Sequence, residues 1–477
     1  MSILSLVDTE HLDFATLTPH RGPAQDLYVK LLSQPQEHLD TTREFLDAHL
    51  RQAISLPCDL PDSPQQLMQW VRAKTCRATS QYNAYLQGRK DGEPRRYFSG
   101  RAHALYFLRA VAPTKLVDGA WLYSTLRHWR ESRLRTLVQT YLEELGDGVP
   151  QMNHVLMYQQ LLSSNGCEEL ASLADENYVQ GALQLALGTL GEHYLPEVIG
   201  YNLGYEQLPL HLLISAYELD ELGVDPYYFK LHVTIDNAVA GHARKAVQTV
   251  LDNVPQVGDA AEFYQRVRDG YQLNELGLGS TTAIQRFDLE HELLTMLENK
   301  RSLAGHVHSD YCRIEGRTVN EWLSGPEPIR GFLAALQNRG WIVRHQAPDN
   351  SRFWHLVQGE GAAMFGVFTP YELQVLHDWI AGDWLSDHKP TYTAVGVPAH
   401  NDATRRMRAA HRRVDPAGLG ELAPSSDIDC EQYALAEELA ALTTEERERR
   451  LVDLASPASH CTPAGLMATR ILSTLVR

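Results

Sequence analysis

Apolar residues return at helical spacing through roughly the first 300 positions of the chain. In residues 24–54, AQDLYVKLLSQPQEHLDTTREFLDAHLRQAI, leucines and aromatics recur every three or four positions. Residues 63–88 and 119–145 repeat the pattern, and it continues to residue 254 through DENYVQGALQLALGTL, LPLHLLISAYELDELG and DPYYFKLHVTIDNAVAGHARKAVQTVLDNV. Glycine and proline fall at the ends of these segments, and alternating strand patterns are almost absent. The pattern predicts an all-α helical bundle.

The texture changes near residue 305. Residues 317–357 read as two short helices followed by a hairpin, WIVRHQ and RFWHLV around APDNS, which fits a small winged-helix-like α+β module. After residue 388 the chain is rich in Pro, Ala, Asp and Arg, and weakly ordered linkers around a few helices are expected. The expected organisation is a helical extension over 1–95, the bundle over 96–304, the accessory module over 305–387 and a tail over 388–477.

A formal net charge of −17, spread along the chain, disfavours nucleic acid and anionic membrane as partners. It also favours an accessory domain packed on the bundle over a DNA-reading wing. The first residues lack the basic and apolar regions of a signal peptide, and no stretch is apolar enough to span a bilayer. Six cysteines lie far apart with no CxxC, as expected of a reduced, cytoplasmic protein. There is no P-loop, no GxGxxG after a strand and no GxSxG elbow.

Candidate chemistry lies on the apolar faces of the helices. In HVTIDNAVAGH (232–242), His232 and Asp236 are one turn apart on a stripe shared with Phe229, Ile235 and Val239. A buried carboxylate there must be paired or bind a metal. Alone, the pair reads first as a hydrogen-bonded core His–Asp. His242 lies six residues on, about a third of a turn off line in an unbroken helix. Glu144 leans inward from the stripe Leu134, Leu137, Tyr141 and Leu145, whereas Glu143 follows the polar positions Thr136, Gln139 and Thr140 and is expected in solvent. His154 follows the break GDGVP, and Glu206 sits on the stripe Ile199, Leu203, Leu210 and Leu213. Glu144, His154, Glu206, His232, Asp236 and His242 together suggest a binuclear metal site, and carboxylates with imidazoles suit iron or manganese in a bundle core.

The runs LEELGDG…NHVLMY, GYEQLP and LGVDPYYFKLHVTIDNAVAGH make the chain resemble the haem-oxygenase-like diiron oxidases, or iron-containing redox enzymes, over residues from about 100 to 255. The resemblance implies two Fe(II) ions that activate O2, with Glu144, His154, Glu206, His232 and Asp236 as ligands. The family's last His falls three residues after the Asp, where this chain has Val239, so His242 is the substitute candidate. Some relatives carry one more carboxylate upstream. Asp118 in KLVDGAW is suitably placed, although DG is also ordinary turn chemistry. The implied reactions are N-oxygenation, oxidative C–C cleavage or desaturation of a small amine or amino-acid-like metabolite, in natural-product biosynthesis. A homodimer through an exposed helix face is compatible with the pattern.

Two other readings remain open at this point. One is a haem- or thiamine-processing enzyme of the same fold, the latter needing a nucleophilic cysteine such as Cys167. The other is a non-catalytic helical adaptor whose inward polar groups are structural pairs. His306, His308, Asp310 and Cys312 superficially resemble a zinc site but have no second ligand pair at zinc-module spacing. His103, His128 and His211 read as core or surface histidines. Arg101, Arg109 and Lys115 are each placed to bind a substrate carboxylate.

Overall fold

The computed structural model describes residues 21–235, 241–304, 311–325, 328–359, 361–387 and 430–477. It is an all-α bundle. Helices α1 (Pro23–Ser33), α2 (Leu39–Ala53) and α3 (Leu67–Lys90) precede α4 (Arg101–Lys115), α5 (Arg135–Glu144) and α6 (His154–Ser163). Then come α7 (Val179–Leu190), α8 (Leu195–Tyr205), α9 (Leu210–Glu221), α10 (Tyr227–Ile235), α11 (His242–Asn253) and α12 (Ala260–Gln272). Two further helices, α13 (Ser280–Gln285) and α14 (Leu289–Ala304), lead to a two-stranded antiparallel hairpin, β1 (Arg313–Ile314) and β2 (Arg317–Thr318). Helices α15 (Val319–Ser324), α16 (Ile329–Asn338), α17 (Arg352–Val357), α18 (Pro370–Ala381) and α19 (Trp384–Asp387) follow. The described tail holds α20 (Cys430–Ala441), α21 (Thr444–Leu454) and α22 (Pro463–Val476).

The expected hairpin over 341–357 is not formed. RFWHLV folds instead as α17, seating Phe353, Trp354 and Val357 in the core, and Phe353 donates its backbone N–H to Trp341 O at 2.9 Å. A six-residue apolar run carries too little periodicity to separate strand from helix. Residues 388–429 lie outside the described residues.

Two apolar cores meet inside the bundle. The first gathers α1, α2, α5, α7, α8, α11, α12 and the described tail; the second gathers α4, α6, α10 and the helices from α13 to α18. Their largest sealed side chains include Trp121, Tyr141, Tyr158 and Tyr201, and burial of a large apolar side chain contributes about 1.5–3 kcal/mol. Leu116 packs into the second core and Val117 into the first, so the segment after α4 runs along the seam.

Close crossings fix the helices beside this seam. A Cβ added at Gly200 of α8 would strike Val267 O of α12, and one at Gly270 of α12 would strike Glu197 O of α8. Helix α4 begins where the Asp378 carboxylate accepts from Ala102 N at 2.8 Å, which ties α18 to an otherwise unpaired helix terminus. Helix α22 packs on α21, α5 and the Gly146–Gly148 turn. No helix among the described residues is long and apolar enough to cross a membrane.

Candidate metal centre

Breaks in the helices present most of the candidate ligands. Asp118 lies in the turn after α4, before a 3-10 segment over Ala120–His128. Gly119 next to it has φ 82°, and a Cβ there would stand 2.9 Å from Glu144 Cβ. The glycine thus permits both the left-handed turn and the close approach to α5. Glu144 ends α5, and His154 opens α6 after a turn in which Asp147 has φ 50°. Asn153 caps α6, accepting from Leu156 N at 3.0 Å, while its amide donates to Leu145 O at 3.3 Å and His460 Nδ1 at 3.0 Å. One amide side chain therefore spaces Glu144 from His154. Glu206 caps the end of α8, His242 is the first residue of α11, and His232 projects from within α10.

These side chains form two overlapping clusters. Ligand atoms of Asp118, Glu144, His154 and His232 lie within 4.8 Å of one another, as do those of Glu144, Glu206 and His242. All are buried, and Glu144 belongs to both groups. His154 Nδ1 stands 2.5 Å from Glu144 Oε2 and 3.6 Å from Asp118 Oδ2. His232 Nε2 is 3.3 Å from Asp118 Oδ2, and its Nδ1 is 2.8 Å from Tyr228 O, which orients the ring. His242 Nδ1 is 3.3 Å from Glu144 Oε1 and 3.1 Å from Glu206 Oε2.

Unpaired atoms distinguish this cluster from ordinary buried carboxylates. Glu144 Oε2, His154 Nδ1 and Glu206 Oε1 are buried without a hydrogen bond, although the first two approach each other closely. Elsewhere the same fold satisfies its buried acids fully. Glu218 accepts from Arg96 N, Tyr97 N, Phe98 N and the Tyr85 hydroxyl at 2.5–3.0 Å. Orphaned buried polar groups are rare and costly. Donor atoms of three carboxylates and three imidazoles converging with vacant lone pairs fit divalent metal, and the O/N set is compatible with iron.

The electrostatics match that reading. Burial alone would push Glu144 up and His154 down; their mutual attraction prevails, leaving Glu144 at about 2 and His154 at about 9. Against the upward pull of burial, the Lys115 charge and contacts from His154 and His232 hold Asp118 well below the usual carboxylate range. Burial likewise opposes protonation of His242, but Glu206 and its neighbouring carboxylates raise it well above an ordinary histidine. Without metal, protons on His154 and His242 balance the carboxylates. A cation bound there would take their place and release them.

A second layer steadies the ligands. The Tyr205 and Tyr228 hydroxyls donate to Asp118 Oδ1 and Oδ2 at 2.7 and 2.6 Å. Burial and the Asp118 charge keep both phenols protonated. The Lys115 ammonium donates in turn to the Tyr205 oxygen at 2.8 Å.

Six of the sequence candidates, Asp118, Glu144, His154, Glu206, His232 and His242, are thus brought together; Asp236 lies outside the described residues, as do His306, His308 and Asp310. Glu143, expected in solvent, is half-buried. It meets His242 Nε2 at 2.6 Å and Lys245 Nζ at 2.7 and 2.5 Å. The i+3 spacing to Lys245 from His242 on α11 is the only trace of this in the sequence. His103 is a core residue bonded to Ile284 O at 2.7 Å, His128 pairs with Glu131 at 2.8 Å, and His211 lines a cavity. Burial pushes the Cys167 thiol up to about 12, which makes it a poor nucleophile. All six cysteines are free.

The fold and the cluster define a helical-bundle protein whose buried carboxylates and imidazoles are compatible with metal binding. Residues 105–275 match the model of a family described as iron-containing redox enzyme. The family supports an oxidoreductase with iron-dependent redox activity. No curated protein and no solved structure matches the chain.

Proposed function

We propose that the protein is a non-haem diiron oxidoreductase that uses O2 to oxidise a small amine or amino-acid-like metabolite, by N-oxygenation, oxidative C–C cleavage or desaturation. Natural-product biosynthesis is the setting this chemistry suits. The observation that carries the reading is Glu144, one carboxylate shared by two ligand groups. Asp118, His154 and His232 would complete the first iron position with it, and Glu206 and His242 the second. Ferrous ions held there supply electrons for the reduction of O2. The protein's part is to fix them: Tyr205 and Tyr228 aim Asp118, and Tyr228 O orients His232. Glu143, bonded to His242 Nε2, sets the tautomer that leaves Nδ1 facing Glu206. Three inward carboxylates argue against a haem pocket, which needs one imidazole in an apolar cleft.

Anaerobic addition of Fe(II) to the metal-free protein tests this. About two irons per chain and O2 uptake by the loaded protein are expected, with uptake of iron reduced in His232→Ala and in Glu206→Ala. Absence of bound iron, or full loading in both variants, would overturn the assignment.

A further inference from the structure

A cavity of about 530 Å3 borders the cluster, with His232 and Tyr205 in its wall. A larger groove of about 640 Å3 runs along α6 but includes no cluster residue and no cationic side chain. The smaller cavity is therefore the one with access to the candidate ligands. Its described wall carries Lys74, Arg77 and Lys115 against one carboxylate, Glu275.

The three cations are not equivalent. Lys74 is engaged by Asp59 at 3.2 Å, and Arg77 is exposed. Lys115 is half-buried, lies 4.9 and 5.8 Å from the Tyr205 and Tyr228 ring centroids, and among the described residues makes no ion pair. The other two candidate cations serve the fold. Arg101 donates to Gly223 O at 3.0 Å and Asn165 Oδ1 at 3.0 Å, and Arg109 bonds Glu292 at 3.1 Å and Glu169 O at 2.9 Å. His211, on the same wall, is pulled down to about 4 by burial and by the Lys115 charge, so it adds no second positive charge near neutrality.

We propose that Lys115 is the specificity-determining residue of this cavity and that the substrate is a small carboxylic acid, held with its carboxylate on the Lys115 ammonium. An ammonium has three N–H donors, and Tyr205 takes one. The two that remain match the two oxygens of a carboxylate. Thr114, Gln207 and Ser280 give the rest of the molecule a polar wall to lie along. The inference rests on the diiron reading for the site's chemistry and adds to it the class of substrate.

Calorimetric titration of the full chain under anaerobic conditions, iron-loaded and metal-free, with hexanoate and with hexanamide provides the test. Hexanoate should bind at least about tenfold more tightly than hexanamide, the scale of one charge-assisted contact. In the metal-free protein, Lys115→Met should erase the preference and Lys115→Arg keep it. Equal binding of the two probes, or a preference that survives in Lys115→Met, would overturn the proposal. If Lys115→Met does not fold, the ratio of the two probes on the unaltered chain decides alone. A protein that takes up no iron yet selects hexanoate through Lys115 sinks the diiron reading and leaves this one standing. Full iron loading with no selection does the reverse.

Discussion

Glu218 and Glu144 are both sealed inside the bundle, and the protein treats them in opposite ways. Around Glu218, three successive backbone N–H groups and a phenol take up the carboxylate, so the residue serves as a clasp holding the 96–98 segment to α9. Around Glu144 there are other acids, imidazoles and vacant lone pairs. Burial is common to the two; satisfaction is not. A buried acid that its own fold completes is structure, and one that its fold leaves incomplete awaits something else.

Removing each carboxylate should separate these roles. Glu144→Ala takes a ligand from both positions, so iron per chain is expected to fall from about two to near zero, the range in which losing a shared ligand leaves neither position complete. Retention of one full iron would show that Glu144 is not shared. Glu218→Ala strands the buried N–H of Phe98 and releases those of Arg96 and Tyr97, and should cost about 1–3 kcal/mol in chemical denaturation. The folded fraction should still load iron fully. Iron loss in proportion to a Glu218 change, with stability intact, would collapse the distinction.

Imidazoles extend the comparison with a smaller effect. His103 and His460 sit in surroundings where burial pulls them down to about 4, whereas His154 in the cluster is held at about 9. A histidine lowered on folding binds fewer protons folded than unfolded, so its contribution is present above the unfolded value near 6.5 and fades as pH falls toward 4. At pH 5 each of the two should cost at most about 2 kcal/mol relative to pH 7. Melting of the metal-free protein at both pH values checks this, with His103→Gln reducing the slope; identical melting at the two pH values would contradict it.

Most of this was visible in the pattern of the chain, and what was hidden has physical causes. Glu144, Glu206 and His232 stand out because apolar stripes make a polar intruder conspicuous. Asp118 is harder to read, since Asp-Gly is ordinary turn chemistry and here the turn is also what delivers the carboxylate. Gly119 serves both purposes at once. Glu143 escapes because its helical neighbours are polar, although Thr140 proves to be 1% exposed. Its partners, His242 and Lys245, come from α11, about a hundred residues away, and such pairing leaves no local period. The misread hairpin over 341–357 fails for the opposite reason, since a run that short fits either period.

The Asn153–His460 hydrogen bond has a consequence for the order of events in the cell. All six residues of the cluster lie between residues 118 and 242, yet the amide that spaces two of them is held by a histidine 307 positions further along. Helix α22 closes over the Gly146–Gly148 turn, where Leu466 O leaves no room for a Cβ at Gly148. As the chain emerges from its amino end, the ligands arrive long before the part that steadies them. On the proposed assignment, iron capture would come late, after the docking of residues 444–476 and not with the making of the cluster residues alone.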